Sequence, residues 1–169
     1  MTDLETRVAA LERRVDAAES VLAIQNLKSR YAQLVDQRYS RGDVVSETKL
    51  SEIAEKIAGL FAEDGVWDAG KALGVARGRV EIADRMRRPT LKFSWHYFLK
   101  PEITVEGDRG RARWDILSPC TTPDGKPQWM SGFEDDEYVR VDGSWLHQSM
   151  KLGVVFMAPH ATGWEKIFY

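Results

Sequence analysis

Turn signals in the second half of the chain leave little freedom in what it can become. Glu106-Gly107-Asp108, Pro123-Asp124-Gly125 and Asp142-Gly143 divide it into four long segments. These are 92–106, bent at Pro101, then 111–119, 128–141 and 144–155. Long extended segments joined by short glycine turns pair as antiparallel hairpins, because tight turns need the backbone freedom of Gly, Asn or Asp. The first half is the opposite. No proline or glycine interrupts it before Gly42, and its apolar residues recur at helical spacing. Leu4, Val8, Leu11, Val15, Ala18 and Leu22 form a heptad-like seam, with Arg and Glu on the faces between. This seam predicts packing on a partner subunit or across the chain's own domain. The phase then shifts. Ile24, Leu27, Tyr31 and Leu34 share one stripe, which predicts a helix running to about Arg38.

Between these halves, Ser40-Arg41-Gly42-Asp43 reads as a turn. A second helix is predicted over 46–62, with Leu50, Ile53, Ile57, Leu60 and Phe61 as its apolar face. Val66-Trp67 opens a short strand, 70–78 is a strand pair or loop, and a third helix spans 80–87, closed off by Pro89. The order predicts an α+β fold, with three helices packed against a curved antiparallel sheet. Such a sheet rolls into a cone that encloses an apolar cavity at one end. The 169 residues suit one domain, with 1–22 as a helical extension. Residues 156–169 form a C-terminal tail whose Trp164 and Phe168 are expected to cover a pocket mouth or a neighbouring subunit.

Composition excludes several classes. Hydrophobic residues make up 43% and charged residues 30%, ordinary for a soluble globular chain. There is no apolar run long enough to span a membrane. A net charge of −2 gives no reason to bind nucleic acid or an anionic membrane. The charged start, Met1-Thr2-Asp3-Leu4-Glu5, lacks an apolar signal core, so a cytoplasmic location is expected. The single cysteine, Cys120, permits no internal disulfide and reads as a small residue near a strand end. Dinucleotide, phosphate-loop, Cys-x-x-Cys and His-Glu-x-x-His motifs are absent. His96, His147 and His160 are far apart in sequence, so no metal site is expected.

Two residues stand out as misfits. In Phe93-Ser94-Trp95-His96-Tyr97-Phe98-Leu99, alternation puts Ser94, His96 and Phe98 on one face. A histidine in an apolar strand is costly unless hydrogen-bonded. It is either a core residue bonded to backbone or a working base. Asp36 ends the stripe of the first helix, where the helix dipole disfavours a carboxylate. It is either a solvated last turn or a functional group. Of the six tryptophans, most suit core or interface packing, while Trp67 and Trp129 are candidates to stack on a substrate ring. Lys151 is either a solvated edge lysine or a cavity cation for an anionic substrate group. His147 reads as a surface residue, and Arg85, Arg87, Arg88 and Lys92 as a solvated helix end.

The chain resembles the SnoaL-like branch of the nuclear transport factor 2-like (NTF2-like) superfamily. The likeness is carried by the segment from Ile24-Gln25-Asn26-Leu27 to Val35-Asp36, by residues 60–67, Ser94-Trp95-His96, Pro101-Glu102-Ile103 and Asp142-Gly143-Ser144-Trp145. The pattern is similar to that of bile acid 7-alpha-dehydratase and hexachlorocyclohexane dehydrochlorinase. The resemblance implies an Asp36–His96 catalytic pair inside the cone, with Tyr31 as acid or oxyanion donor. Leu99 and Ser118 stand where the bile acid enzyme has a histidine and an aspartate, which argues against a bile acid substrate. Arg140 aligns with a family arginine near the same hairpin.

The expected function is a cofactor-independent lyase acting on a hydrophobic, hydroxylated cyclic or aromatic small molecule. It eliminates water, or cleaves a C–C bond to release formaldehyde from a lignin-derived diarylpropane. Trp67, Phe98, Trp129 and Lys151 are the expected substrate contacts. The alternative is a non-catalytic ligand-binding or oligomerisation module. A homodimer or homotrimer is expected in either case.

Overall fold

The computed structural model describes residues 3–161. Helix α1 (Asp3–Asp36) is followed by a two-residue hairpin, β1 (Tyr39–Ser40) and β2 (Asp43–Val44), and then by α2 (Glu47–Ala58). Strand β3 (Phe61–Asp68), the short α3 (Gly70–Leu73), β4 (Val75–Arg77) and α4 (Gly78–Met86) complete the first half. The second half holds β5 (Phe93–Ser94), β6 (Tyr97–Glu106), β7 (Arg109–Thr121), β8 (Pro127–Val141) and β9 (Ser144–Pro159).

The main sheet runs β4-β3-β9-β8-β7-β5, with β6 also pairing β7. Every pairing is antiparallel except β3 beside β9, so the sheet is mixed. Asp142 and Gly143 both take positive φ, 48° and 76°, which a tight β8–β9 hairpin requires. Register shifts lie at Ser131/Gly132 and Glu137/Tyr138 in β8–β9, and at Leu99/Glu102 in β6–β7. Bulges of this kind bend strands and increase twist, and here they curl the long strands around the helices. The core joins Ile24, Leu27, Tyr31 and Val35 of α1 to Ile53 and Ile57 of α2, Ile82 and Met86 of α4, and Trp114, Tyr138 and Met150 of the sheet. Gly110 lets α1 lie close. A Cβ there would stand 2.7 Å from Ile24 Cδ1.

The structure departs from the sequence reading at several points. Helix α2 stops at Ala58 because Leu60 gives its carbonyl to the His147 N–H at 2.9 Å, so Leu60 and Phe61 join the sheet rather than the helix face. Residues 70–78 hold a helical turn as well as a strand. The segment 92–106 breaks at Trp95-His96 and bulges beside Pro101, where Lys100 has φ 48°. The heptad-like seam does not pack across its own domain: Leu4, Val8, Leu11, Val15 and Leu22 are 44% to 68% exposed. The expected cover by Trp164 and Phe168 lies outside the described residues.

Candidate active site

His96 occupies the gap between β5 and β6. Its backbone N–H donates to Asp36 Oδ1 at 3.0 Å, and its Nδ1 lies 2.7 Å from the same oxygen. A carboxylate oxygen only accepts, so Nδ1 carries the proton and Nε2 keeps its lone pair. Asp36 is the last residue of α1 and is 7% exposed. Its poor fit to the helix dipole is therefore matched by two donors from one residue. Nε2 lies 3.3 Å from Ser94 Oγ, which contacts Ser118 Oγ at 3.0 Å. Burial pushes the His96 imidazole below its ordinary pKa, against the upward pull of Asp36. The ring is thus a neutral base near pH 7.

His96 lines a cavity with about 740 Å³ of atom-free space, solvent mouth included. Tyr31, Trp67, Met130, Met150 and Leu152 share its wall. Trp67 Nε1 donates to Tyr31 Oη at 3.1 Å. Burial raises the Tyr31 pKa, so its hydroxyl stays protonated and remains a donor. Sequence reasoning placed Tyr31, Asp36, His96 and Trp67 together, and the structure brings all four to one region.

Other expected contacts fall elsewhere. Lys151 is exposed and outside this cavity. Strand alternation explains it: Met150 and Leu152 point inward, so the residue between them points out. Trp129 is displaced for the same reason. Its neighbour Met130 faces the cavity, while Trp129 stacks near His160 with ring centroids 6.0 Å apart. Phe98 sits behind the pair, stacked on His96 at 6.3 Å and under the Lys28 ammonium at 4.1 Å. Arg140 is structural, bonding Asp16 at 2.6 Å and Asp108 at 2.8 Å. Arg85, read as part of a solvated helix end, lines the cavity.

A second polar cluster was missed. Lys28 is fully buried and donates to Glu134 and, at 2.7 Å, to Asp136. Tyr138 donates to Asp136 at 2.8 Å and accepts from Trp114 Nε1 at 3.1 Å. His147, expected at the surface, is fully buried with its ring against Tyr31, Phe61 and Tyr138. Neither of its ring nitrogens has a hydrogen-bond partner among the described residues. It alternates with Trp145 on the inner face, and the register shift opposite Glu137/Tyr138 then brings Met150 to that face as well. Burial lowers the Lys28 pKa, but the two carboxylates outweigh it and hold the ammonium charged. Burial raises both Glu134 and Asp136, opposed by Lys28. With one cation against two carboxylates, burial favours the neutral form of the second acid. Among the described residues, no group of three or more His, Cys, Asp or Glu side chains is placed to hold a metal ion. No helix there is long and apolar enough to cross a membrane.

Residues 51–151, more than half of the chain, match the model of the SnoaL-like domain. The chain belongs to the SnoaL-like family. Its fold is shared with solved NTF2-like structures. A hexachlorocyclohexane dehydrochlorinase, LinA-type3 from Novosphingobium barchaimii, is 20% identical over 90% of this chain and 94% of its own, with a TM-score of 0.69. An NTF2-like protein with a cystatin-like fold from Novosphingobium aromaticivorans is 23% identical over 92% of each chain, with a TM-score of 0.65. A third structure, provisionally named for scytalone dehydratase and from the same species, is 18% identical over 85% of this chain and 89% of its own, with a TM-score of 0.68. At these identities the neighbours establish the fold alone. The last turn of α1, which lies outside the matched segment, delivers Asp36 to the His96 N–H and Nδ1.

Proposed function

We propose that the protein is a cofactor-independent lyase that carries out eliminations on a hydrophobic, hydroxylated cyclic or aromatic molecule. The observation that carries this reading is the double hydrogen bond from His96 to Asp36 Oδ1, which leaves Nε2 unprotonated at a largely apolar cavity. In the favoured reaction Nε2 takes a proton from carbon. The C–H electrons form the new double bond, the C–O bond breaks, and the hydroxyl, held by a hydrogen bond from Tyr31, leaves as water with the proton that Nε2 took. Asp36 holds the tautomer and stabilises the imidazolium. General acid–base groups of this kind typically contribute about 10² to 10⁴ in rate. The same parts support a retro-aldol cleavage, in which Nε2 deprotonates a hydroxymethyl oxygen, the C–C bond breaks, and formaldehyde leaves as the carbanion is reprotonated. The fold neighbour named as a dehydrochlorinase is an eliminating enzyme by that name, which agrees with this class of chemistry.

The test is a mass-spectrometric screen of wild type and His96→Ala against pooled hydroxylated cyclic and diaryl compounds. Loss of water or of formaldehyde with wild type alone supports the reading. Ligands retained unchanged and equally by both proteins would instead point to a binding module.

A further inference from the structure

Two guanidinium groups face the same cavity as His96. Arg38 follows α1 by two residues. Its Nε donates to the Val35 carbonyl at 3.0 Å, its Nη1 contacts Met86 Sδ at 3.6 Å, and the group lies over the Tyr39 ring at 5.6 Å. Arg85, in the last turn of α4, donates to the carbonyls of Leu73 at 3.1 Å and Arg88 at 2.8 Å, and lies over Trp67 at 5.3 Å. Both are half-buried. Neither is within ion-pair distance of a carboxylate among the described residues. Arg87, two positions from Arg85, shows the ordinary alternative, pairing with Glu55 and Asp84. Of the acids that line the cavity, Asp68 accepts from the Gly70 N–H at 2.8 Å and Glu134 is engaged by Lys28. Burial, then the field of Arg38, depresses the Arg85 pKa, so the two cations are held near each other against repulsion.

We propose that Arg38 and Arg85 form an anion subsite, and that the substrate carries a carboxylate on its cyclic or aromatic skeleton. This rests on the lyase reading and names its substrate class. Backbone acceptors fix each fork, Nη2 of each makes no hydrogen bond among the described residues, and a guanidinium matches a carboxylate edge to edge. Trp67, under Arg85, supplies an apolar face for the attached ring. The role that the sequence assigned to Lys151 thus falls to two arginines on the other side of the sheet's wall.

Tryptophan fluorescence titration with 2-naphthoate and its neutral amide tests this without turnover. Wild type is expected to bind the acid at least about tenfold more tightly. Arg38→Gln and Arg85→Gln are each expected to remove most of that preference while leaving amide binding within about twofold. Equal binding of acid and amide by wild type overturns the proposal, whatever the variants do. Failure here with turnover of neutral compounds in the screen would leave the lyase reading standing. An intact acid preference without turnover would remove the lyase reading alone.

A separate observation carries a second inference. The exposed seam has Val8, Val15 and Leu22 at a positions and Leu4, Leu11 and Ala18 at d positions. The flanking g positions are then Arg7 and Arg14, and the e positions include Glu12 and Glu19. In a parallel pair each g faces the e of the next heptad on the second copy, so Arg7 meets Glu12 and Arg14 meets Glu19. An antiparallel pair would set Arg against Arg and Glu against Glu. Valine at a with leucine at d favours two strands. Asp16 and Ser20 face the domain instead, on the far side of the helix. We infer that α1 forms a parallel, in-register two-stranded coiled coil with a second copy of the chain. Val15→Cys should then oxidise to a disulfide-linked dimer, and Arg13→Cys, on the outer face, should not. Equal cross-linking of both, or of neither, overturns the inference, as does a trimeric mass by light scattering. E12R/E19R and R7E/R14E variants should each lose the Val15→Cys cross-link alone and regain it when mixed.

Discussion

Two polar clusters lie within one rolled sheet, one at the cavity rim and one behind it. Asp36 and His96 stand at the rim, with Nδ1 bonded to Asp36 and Nε2 at the cavity within reach of Ser94 Oγ. Lys28, Asp136, Tyr138 and His147 stand deeper, each 2% exposed or less. Glu134 belongs to both, bonded to Lys28 and lining the cavity. The difference teaches that perturbed ionisation alone does not mark the reactive end. Both clusters are shifted by burial, but only the rim pair sets a ring nitrogen at the cavity wall. The deeper cluster is expected to act on stability rather than on turnover.

The sharpest break of that comparison is a double dissociation. His96→Asn keeps a donor for Asp36 but removes the base. Turnover should fall by about 10³-fold with little change in unfolding midpoint. Lys28→Met should do the reverse. It leaves two buried carboxylates without their cation and should cost about 3–5 kcal/mol by denaturant titration. Adding E134Q and D136N to it should recover much of that loss, because the charges are removed together. If Lys28→Met leaves stability intact, the deeper cluster is not what holds this end of the sheet.

A smaller effect separates the two histidines. Both fold with lowered pKa values, His147 well below the ordinary range, through burial and then the Lys28 charge. The unfolded chain therefore binds more protons, so stability rises with pH. The contribution is complete above about pH 6.5 and is lost as pH falls toward the folded pKa, at up to about 1.4 kcal/mol per pH unit for each histidine. His147→Leu should flatten this slope and leave the pH–rate profile unchanged. The acid limb of kcat/KM, which should lie below pH 6.5, belongs to His96. A His147→Leu variant that moves that limb would merge the two clusters into one site.

Much of this was legible before any coordinates. The turns at Gly107, Gly125 and Gly143 placed the hairpins, and alternation grouped Ser94, His96 and Phe98 on one face, which the structure turns inward. Asp36 and Tyr31 were assigned by resemblance. Lys28 was passed over although it sits four residues after Ile24 and three before Tyr31, on the buried stripe. A lysine there reads as a solvated neighbour unless its counter-charges are known, and those come from 106 and 108 residues away. Glu134, Asp136 and Tyr138 alternate correctly for an inward face, but Asp135 and Glu137 make the outward face equally acidic. Period-two patterning cannot choose between them. Lys151 and Trp129 failed on the same parity.

The finest test concerns Trp67, which touches both Tyr31, the proposed donor, and the proposed anion subsite. Its Nε1–H fixes Tyr31 Oη, and its ring lies under Arg85. Trp67→Phe keeps an aromatic face and deletes the donor. Tyr31 then loses one neutral hydrogen bond, worth roughly 1 kcal/mol, so kcat should fall about three- to tenfold. Carboxylate affinity should hold, since the face beneath Arg85 remains. A loss confined to affinity would mean that Trp67 serves the anion end and leaves Tyr31 to orient itself. That would move Tyr31 out of the group whose geometry is set before the substrate arrives.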